Sequence, residues 1–155
     1  MTYPPQNSPL LEGNYSTWTE VSGSPLSVVN LIRIQDCFIN DASKKALLSA
    51  GATRYYALVT LEPPHVEENL NLPMNRWDAA AADYNPTFSS VLGRYFVVIT
   101  SGEDEIRIYK NGVLIQTISM LPSYAPNGGA FISPSGKYLL WMDGTRSELH
   151  IYKGA

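Results

Sequence analysis

The chain is short of charge. Asp, Glu, Lys and Arg make up only 16% of its 155 residues, against about a quarter in an average globular domain. Its eleven basic residues include one adjacent pair, Lys44-Lys45, and the formal net charge is −3. That argues against the clustered positive stripe on which nucleic-acid binding depends. Cys37 is the single cysteine, so no internal disulfide forms and cysteine usage gives no compartment. No apolar run approaches the ~18 residues of a membrane span. The first residues, Met-Thr-Tyr-Pro-Pro-Gln-Asn-Ser-Pro, lack the charged and apolar regions of a signal peptide. The expectation is a chain with no nucleic-acid or membrane partner, cytoplasmic by default or part of an assembled particle.

In place of charge stand Ser, Thr, Asn, eleven Pro, eleven Gly and ten Tyr. This is the profile of a turn-rich β protein, or of a subunit that hides surface against neighbours, since interfaces are poor in charge and rich in Tyr. Residues 1–13, with Pro4, Pro5, Pro9 and Gly13, read as an extended Pro-rich arm. Residues 14–155 read as a single domain. Tyr15 to Val21 and Val28 to Ile34 are rich in β-formers, and Cys37-Phe38-Ile39 is a candidate short strand. Asn40 or Asp41 can cap a short helix over 42–49, ended by Gly51. A helical turn is expected over 77–83, before Asn85-Pro86 breaks it.

Two stretches align without a gap at a shift of 43 positions. Phe88 falls on Phe131, Ser90 on Ser133, Gly93 on Gly136, Tyr95 on Tyr138, Glu105 on Glu148 and Tyr109-Lys110 on Tyr152-Lys153. A fainter copy places Arg54 to Thr60 at 40 positions before Arg94 to Thr100. The approximate repeats are therefore 50–75, 85–121 and 127–155. Tyr95 to Ile99 and Tyr138 to Met142 are continuous apolar runs, the mark of strands buried on both faces. The next strand alternates, with Glu105, Arg107 and Tyr109 on one face and Ile106 and Ile108 on the other. Asn111-Gly112 then supplies two positive-φ positions for a type I′ hairpin turn.

With Ala130-Phe131-Ile132-Ser133-Pro134-Ser135-Gly136-Lys137-Tyr138, the chain resembles the WD40-like and related β-propeller repeat families, in which an inner strand ends in Phe-x-Ser-Pro and turns through Gly. Tyr109-Lys110 and Tyr152-Lys153 stand where the family has Trp-Asp, and its Gly-His signature is missing. The resemblance implies an all-β fold of four-stranded antiparallel blades, with one or two short helices in connections. About three blades fall short of the roughly four to eight of a closed propeller, so the array is incomplete. Its last copy stops after the third strand. A strand from residues 15–39 could complete it, within one chain or between chains. The favoured reading is a protein partner or a homo-oligomer completing the last blade.

Reactive residues are sparse. Glu103-Asp104-Glu105 reads as a solvated turn, because the matching copy has Arg146-Ser147-Glu148. His65 and His150 are isolated and read as surface histidines without zinc-ligand spacing. No nucleophile elbow, phosphate loop or dinucleotide fingerprint occurs. Trp141, in an apolar run, reads as core. No catalytic, cofactor or metal residue is expected. The interaction candidates are Tyr3, Pro4 and Pro5 of the arm, Trp77 as an aromatic anchor, and Glu148, His150 and Tyr152 on the last strand. The expectation is a non-enzymatic interaction or structural subunit of a viral or other assembly. The competing class is an enzyme or small-molecule binder whose site lies where inner strands converge near Ser90 and Ser133.

Overall fold

The computed structural model describes residues 12–28, 34, 36–49, 55–71, 85–86, 90, 94–99, 105–119, 126–143 and 146–155. Among them the chain forms thirteen strands and no helix. The first seven are β1 (Trp18–Glu20), β2 (Leu26–Ser27), β3 (Asp36–Asn40), β4 (Lys45–Ser49), β5 (Tyr55–Leu61), β6 (Pro64–Asn71) and β7 (Asn85–Pro86). The rest are β8 (Tyr95–Ile99), β9 (Glu105–Lys110), β10 (Val113–Ser119), β11 (Pro126–Ile132), β12 (Tyr138–Asp143) and β13 (Glu148–Gly154). Three antiparallel sheets result. The first runs β7-β3-β4-β5-β6 and the middle one β8-β9-β10. The last runs β11-β12-β13, with β1 and β2 both paired to the far edge of β13.

The 43-residue repeat reappears in the backbone hydrogen bonds. The Ser90 amide donates to the Tyr95 carbonyl at 2.9 Å, and the Ser133 amide to the Tyr138 carbonyl at 2.8 Å. Each serine hydroxyl accepts the returning tyrosine amide at 3.0 Å, so the residue type itself closes the turn. The Asn111 amide donates to the Arg94 carbonyl as the Gly154 amide does to that of Lys137. Asn111 and Gly112 turn with φ of 52° and 77°, the left-handed pair expected of that hairpin.

The first copy sits in a different frame from the one its side chains suggest. The Leu61 amide donates to the Lys44 carbonyl, the bond that Asn111 and Gly154 make in the other copies. Lys44 therefore matches Arg94, 50 positions on, and β4, β8 and β12 are the second strands. The expected helix over 42–49 is thus a hairpin. Asn40 does cap, its side-chain oxygen accepting the Ser43 amide at 3.0 Å, but it caps a turn between β3 and β4. Arg54 to Thr60, aligned by sequence with a second strand, overlaps β5, the third strand. The expected turn over 77–83 lies outside the described residues.

Period-two alternation builds two cores. Tyr138, Leu140 and Met142 of β12 join Leu149 and Ile151 of β13 against Ala46, Leu48, Ala57, Val59 and Leu61 of the first sheet. The opposite face of the last sheet, with Leu139 and Trp141, meets Tyr95, Val97, Ile106 and Ile108 of the middle sheet together with Trp18. The last sheet therefore lies between the other two. Every side chain of β12 is buried, as its continuous apolar run requires, and each Leu or Ile so enclosed contributes about 1.5–3 kcal/mol.

The last strand finds its partner within its own chain. Trp18, Thr19 and Glu20 pair with Gly154, Lys153 and Tyr152, and Leu26 and Ser27 pair with Leu149 and Glu148. This corrects the expectation that a neighbour completes the last blade. The segment is held because Trp18 and Tyr15 pack on Tyr95 at ring-centroid distances of 5.6 and 6.1 Å. Gln116 adds a side-chain amide that accepts the Trp18 amide at 2.7 Å and donates to its carbonyl at 2.9 Å.

Candidate functional site on an open sheet face

Strand register places Phe96 beside Tyr109 and Leu114, and Val98 beside Arg107 and Thr117. These residues form the face of the middle sheet turned away from the last sheet. Phe96 and Tyr109 stack with centroids 5.2 Å apart and planes 12° from parallel. Val98 is 41% exposed and Leu114 45%. Arg107 reaches Glu105 at 3.1 Å, and that bond raises the guanidinium pKa, keeping it charged. The face is an apolar strip with one ion pair beside it.

Its meaning comes from the repeat. Phe96 and Val98 correspond at the 43-residue shift to Leu139 and Trp141, which are 0% and 1% exposed. Positions that the last sheet buries under a neighbouring sheet lie open in the middle one. The apolar run of β8, expected to be buried on both faces, is thus buried on one. The expected alternation of β9 is present, with Ile106 and Ile108 inside.

The residues singled out on the last strand have a different fate. Glu148, His150 and Tyr152 share one face of β13, but their strand edge is taken by β1 and β2. His150 is 2% exposed, which corrects its reading as a surface histidine. Its ring stacks on Trp141 with centroids 4.0 Å apart. Its Nδ1 donates to Glu20 Oε2 at 2.7 Å, and the same oxygen accepts the Ser24 hydroxyl at 2.7 Å. Asp143, fully buried, accepts from Arg146 at 2.8 Å. Asp143, Glu148 and His150 each offer one donor atom, and these atoms all lie within 4.8 Å of one another. Tyr3, Pro4, Pro5 and Trp77 lie outside the described residues.

Ser90 and Ser133 are buried and engaged in the turns that define the repeat. Phe96, Val98, Tyr109 and Leu114 escaped the sequence reading. The signal available for them was Val113-Leu114 straight after Asn111-Gly112, two large apolar residues opening an outer hairpin strand.

No family model matches the chain, and no curated protein matches it. Among solved structures it is similar to the β-propeller domain of Cps50 (Swd1) from Myceliophteria thermophila, at 16% identity and a TM-score of 0.35, over 77% of this chain and 40% of that one. It is also similar to hydrazine synthase from Kuenenia stuttgartiensis, at 11% identity and a TM-score of 0.26, over 86% of this chain and 39% of that one. The chain thus spans about two fifths of the length of each.

Proposed function

We propose that the chain is a structural or interaction subunit that works by docking the open face of its middle sheet, and that the occupant is a second copy of itself. The observation behind this is the contrast between buried Leu139 and Trp141 and, at equivalent positions, half-buried Phe96 and exposed Val98. Within the chain, each face of that kind is covered by the opposite face of another sheet. The first sheet carries an opposite face of its own, with Phe38, Leu47 and Leu58 in one cross-strand row. Leu47 in that row is buried and Phe38 and Leu58 are half-buried, and none of the three belongs to the two cores. The row sits at the far end of the array from the middle sheet, so the two faces meet between copies. Two copies joined at both ends would give a ring of six sheets, within the range of closed propellers. A C2 axis through the ring makes the two junctions equivalent.

Light scattering on the purified chain tests this reading. The expected mass is that of two chains, falling to one chain in Val98→Lys and Leu114→Lys, whose exposed positions leave the fold intact. A wild-type chain that stays single at every concentration sinks the proposal. The enzyme reading has less behind it, because the hydroxyls of Ser90 and Ser133 already serve as acceptors for backbone amides.

A further inference from the structure

The geometry points to a divalent metal site in the last sheet, formed by Asp143, Glu148 and His150 and taking a borderline cation such as Zn2+. One imidazole nitrogen and two carboxylate oxygens suit zinc, and the three donor atoms already lie within 4.8 Å of one another. Donors around a tetrahedral zinc stand roughly 3.3 Å apart, so small rotations of Asp143 and Glu148 close the set. Strand pairing supplies the placement: Asp143 faces Glu148 across β12 and β13, and His150 follows two residues on along the same face.

A carboxylate sets the tautomer of the histidine. Because Glu20 is the acceptor at Nδ1, the lone pair lies on Nε2. A carboxylate behind a ligating imidazole is the recurrent arrangement of zinc sites, fixing the tautomer and raising the basicity of the ligand. Glu20 is itself held by the Ser24 hydroxyl, which in turn accepts the Ile151 amide at 2.9 Å. Trp141 stacks on the ring and fixes its plane. His150 and Asp143 are buried while Glu148 is half-exposed, which leaves a route for an ion from solvent.

Charge balance favours the same ion. Among the described residues, Glu20, Asp143 and Glu148 bring three carboxylates to this place, and Arg146 sets its guanidinium on Asp143. A divalent cation is a partner that such carboxylates favour. In the middle sheet the position of His150 is held by Arg107, bonded to Glu105, the residue matching Glu148. A cation on a side chain serves one copy; an imidazole that can hold a cation stands in the other.

Zn2+ titrated into the chelator-treated 155-residue chain, followed by calorimetry and with Co2+ absorption as a second readout, tests the site. One equivalent should bind. Glu148→Gln should weaken binding at least tenfold, and Glu20→Gln by about 10–100-fold through the histidine, while His65→Ala leaves it unchanged. Melting curves of each variant establish that it is folded. Absence of saturable binding, or unchanged affinity in folded Glu148→Gln, or loss of binding in His65→Ala, overturns the proposal.

Discussion

The indole Nε1 of Trp18 donates to the carbonyl oxygen of Gly136 at 2.9 Å, across 118 residues of sequence. One end of this bond lies in the strand that completes the last sheet, and the other in the turn between β11 and β12. Trp18→Phe keeps most of the ring's packing and removes the donor. Leaving a buried carbonyl unsatisfied costs about 1–3 kcal/mol. Urea unfolding should show that loss through a lower midpoint at an unchanged slope.

Gly136 is irreplaceable for two separable reasons. Its φ is +89°, and a Cβ there would stand 2.6 Å from the Tyr95 ring. Gly112 has a φ of +77° with nothing within 4 Å of its Cβ position, so it isolates the backbone contribution. Gly112→Ala should cost about 1 kcal/mol, from the left-handed backbone alone. Gly136→Ala should cost more, because Tyr95 is locked by its hydroxyl, which donates to the Gly13 carbonyl at 2.9 Å. Combining Gly136→Ala with Tyr95→Leu should recover part of the difference in a double-mutant cycle. Strict additivity would mean that the ring and the glycine are not in conflict.

How much of this was legible in the sequence depended on whether the force acting was local. Alternation exposed β9, a continuous apolar run exposed β12, and Asn111-Gly112 announced its own hairpin. Lys44-Lys45-Ala46-Leu47-Leu48 misled because Lys, Ala and Leu are strong helix formers. There the burial of Ala46 and Leu48 against the last sheet overrides propensity. The same segment threw the first repeat out of frame: once β4 is read as helix, β5 is the next apolar run to align. His150 was misjudged because alternation says which side a residue faces and not whether another sheet covers that side. β1 lies within the β-formers of Tyr15 to Val21 and was legible as a strand, but its partner, more than 130 positions away, leaves no local pattern to read.

Acid should weaken the junction between the first and last sheets. Lys153 donates to Glu62 at 2.8 Å and Tyr138 donates to its other oxygen at 2.8 Å. The bond from Lys153, then that from Tyr138, lowers the Glu62 pKa below its ordinary 4.5. The unfolded chain therefore binds the proton first. The contribution is fully present above about pH 4.5 and is lost as pH falls through the lower, folded value. Tyr138 gives the opposite arm, since burial and then Glu62 raise its phenol above the ordinary 10.0. Its contribution is present below that value and fades as pH climbs. Melting temperature against pH should lose part of its acid slope in Glu62→Gln and part of its alkaline slope in Tyr138→Phe. Unchanged slopes would place the pH dependence elsewhere.

Removing residues 1–27 should cost the chain more than its length suggests. The segment caps the whole far edge of β13, and it brings Trp18 and Tyr15 into the core shared with the middle sheet. Without it, β13 presents unpaired amides and carbonyls beside exposed Leu139, Trp141 and Tyr152, the condition that drives edge-to-edge aggregation. The truncated chain should be insoluble or associate without limit. A synthetic peptide spanning residues 12–28 should restore a soluble species, because all of its contacts to β13 and Gln116 are made without the connecting residues that follow. Rescue that persists with Trp18→Ala in the peptide would show that strand pairing suffices. Rescue that depends on Trp18 would place the main energy in the indole and its bond to Gly136, the outcome expected from its burial.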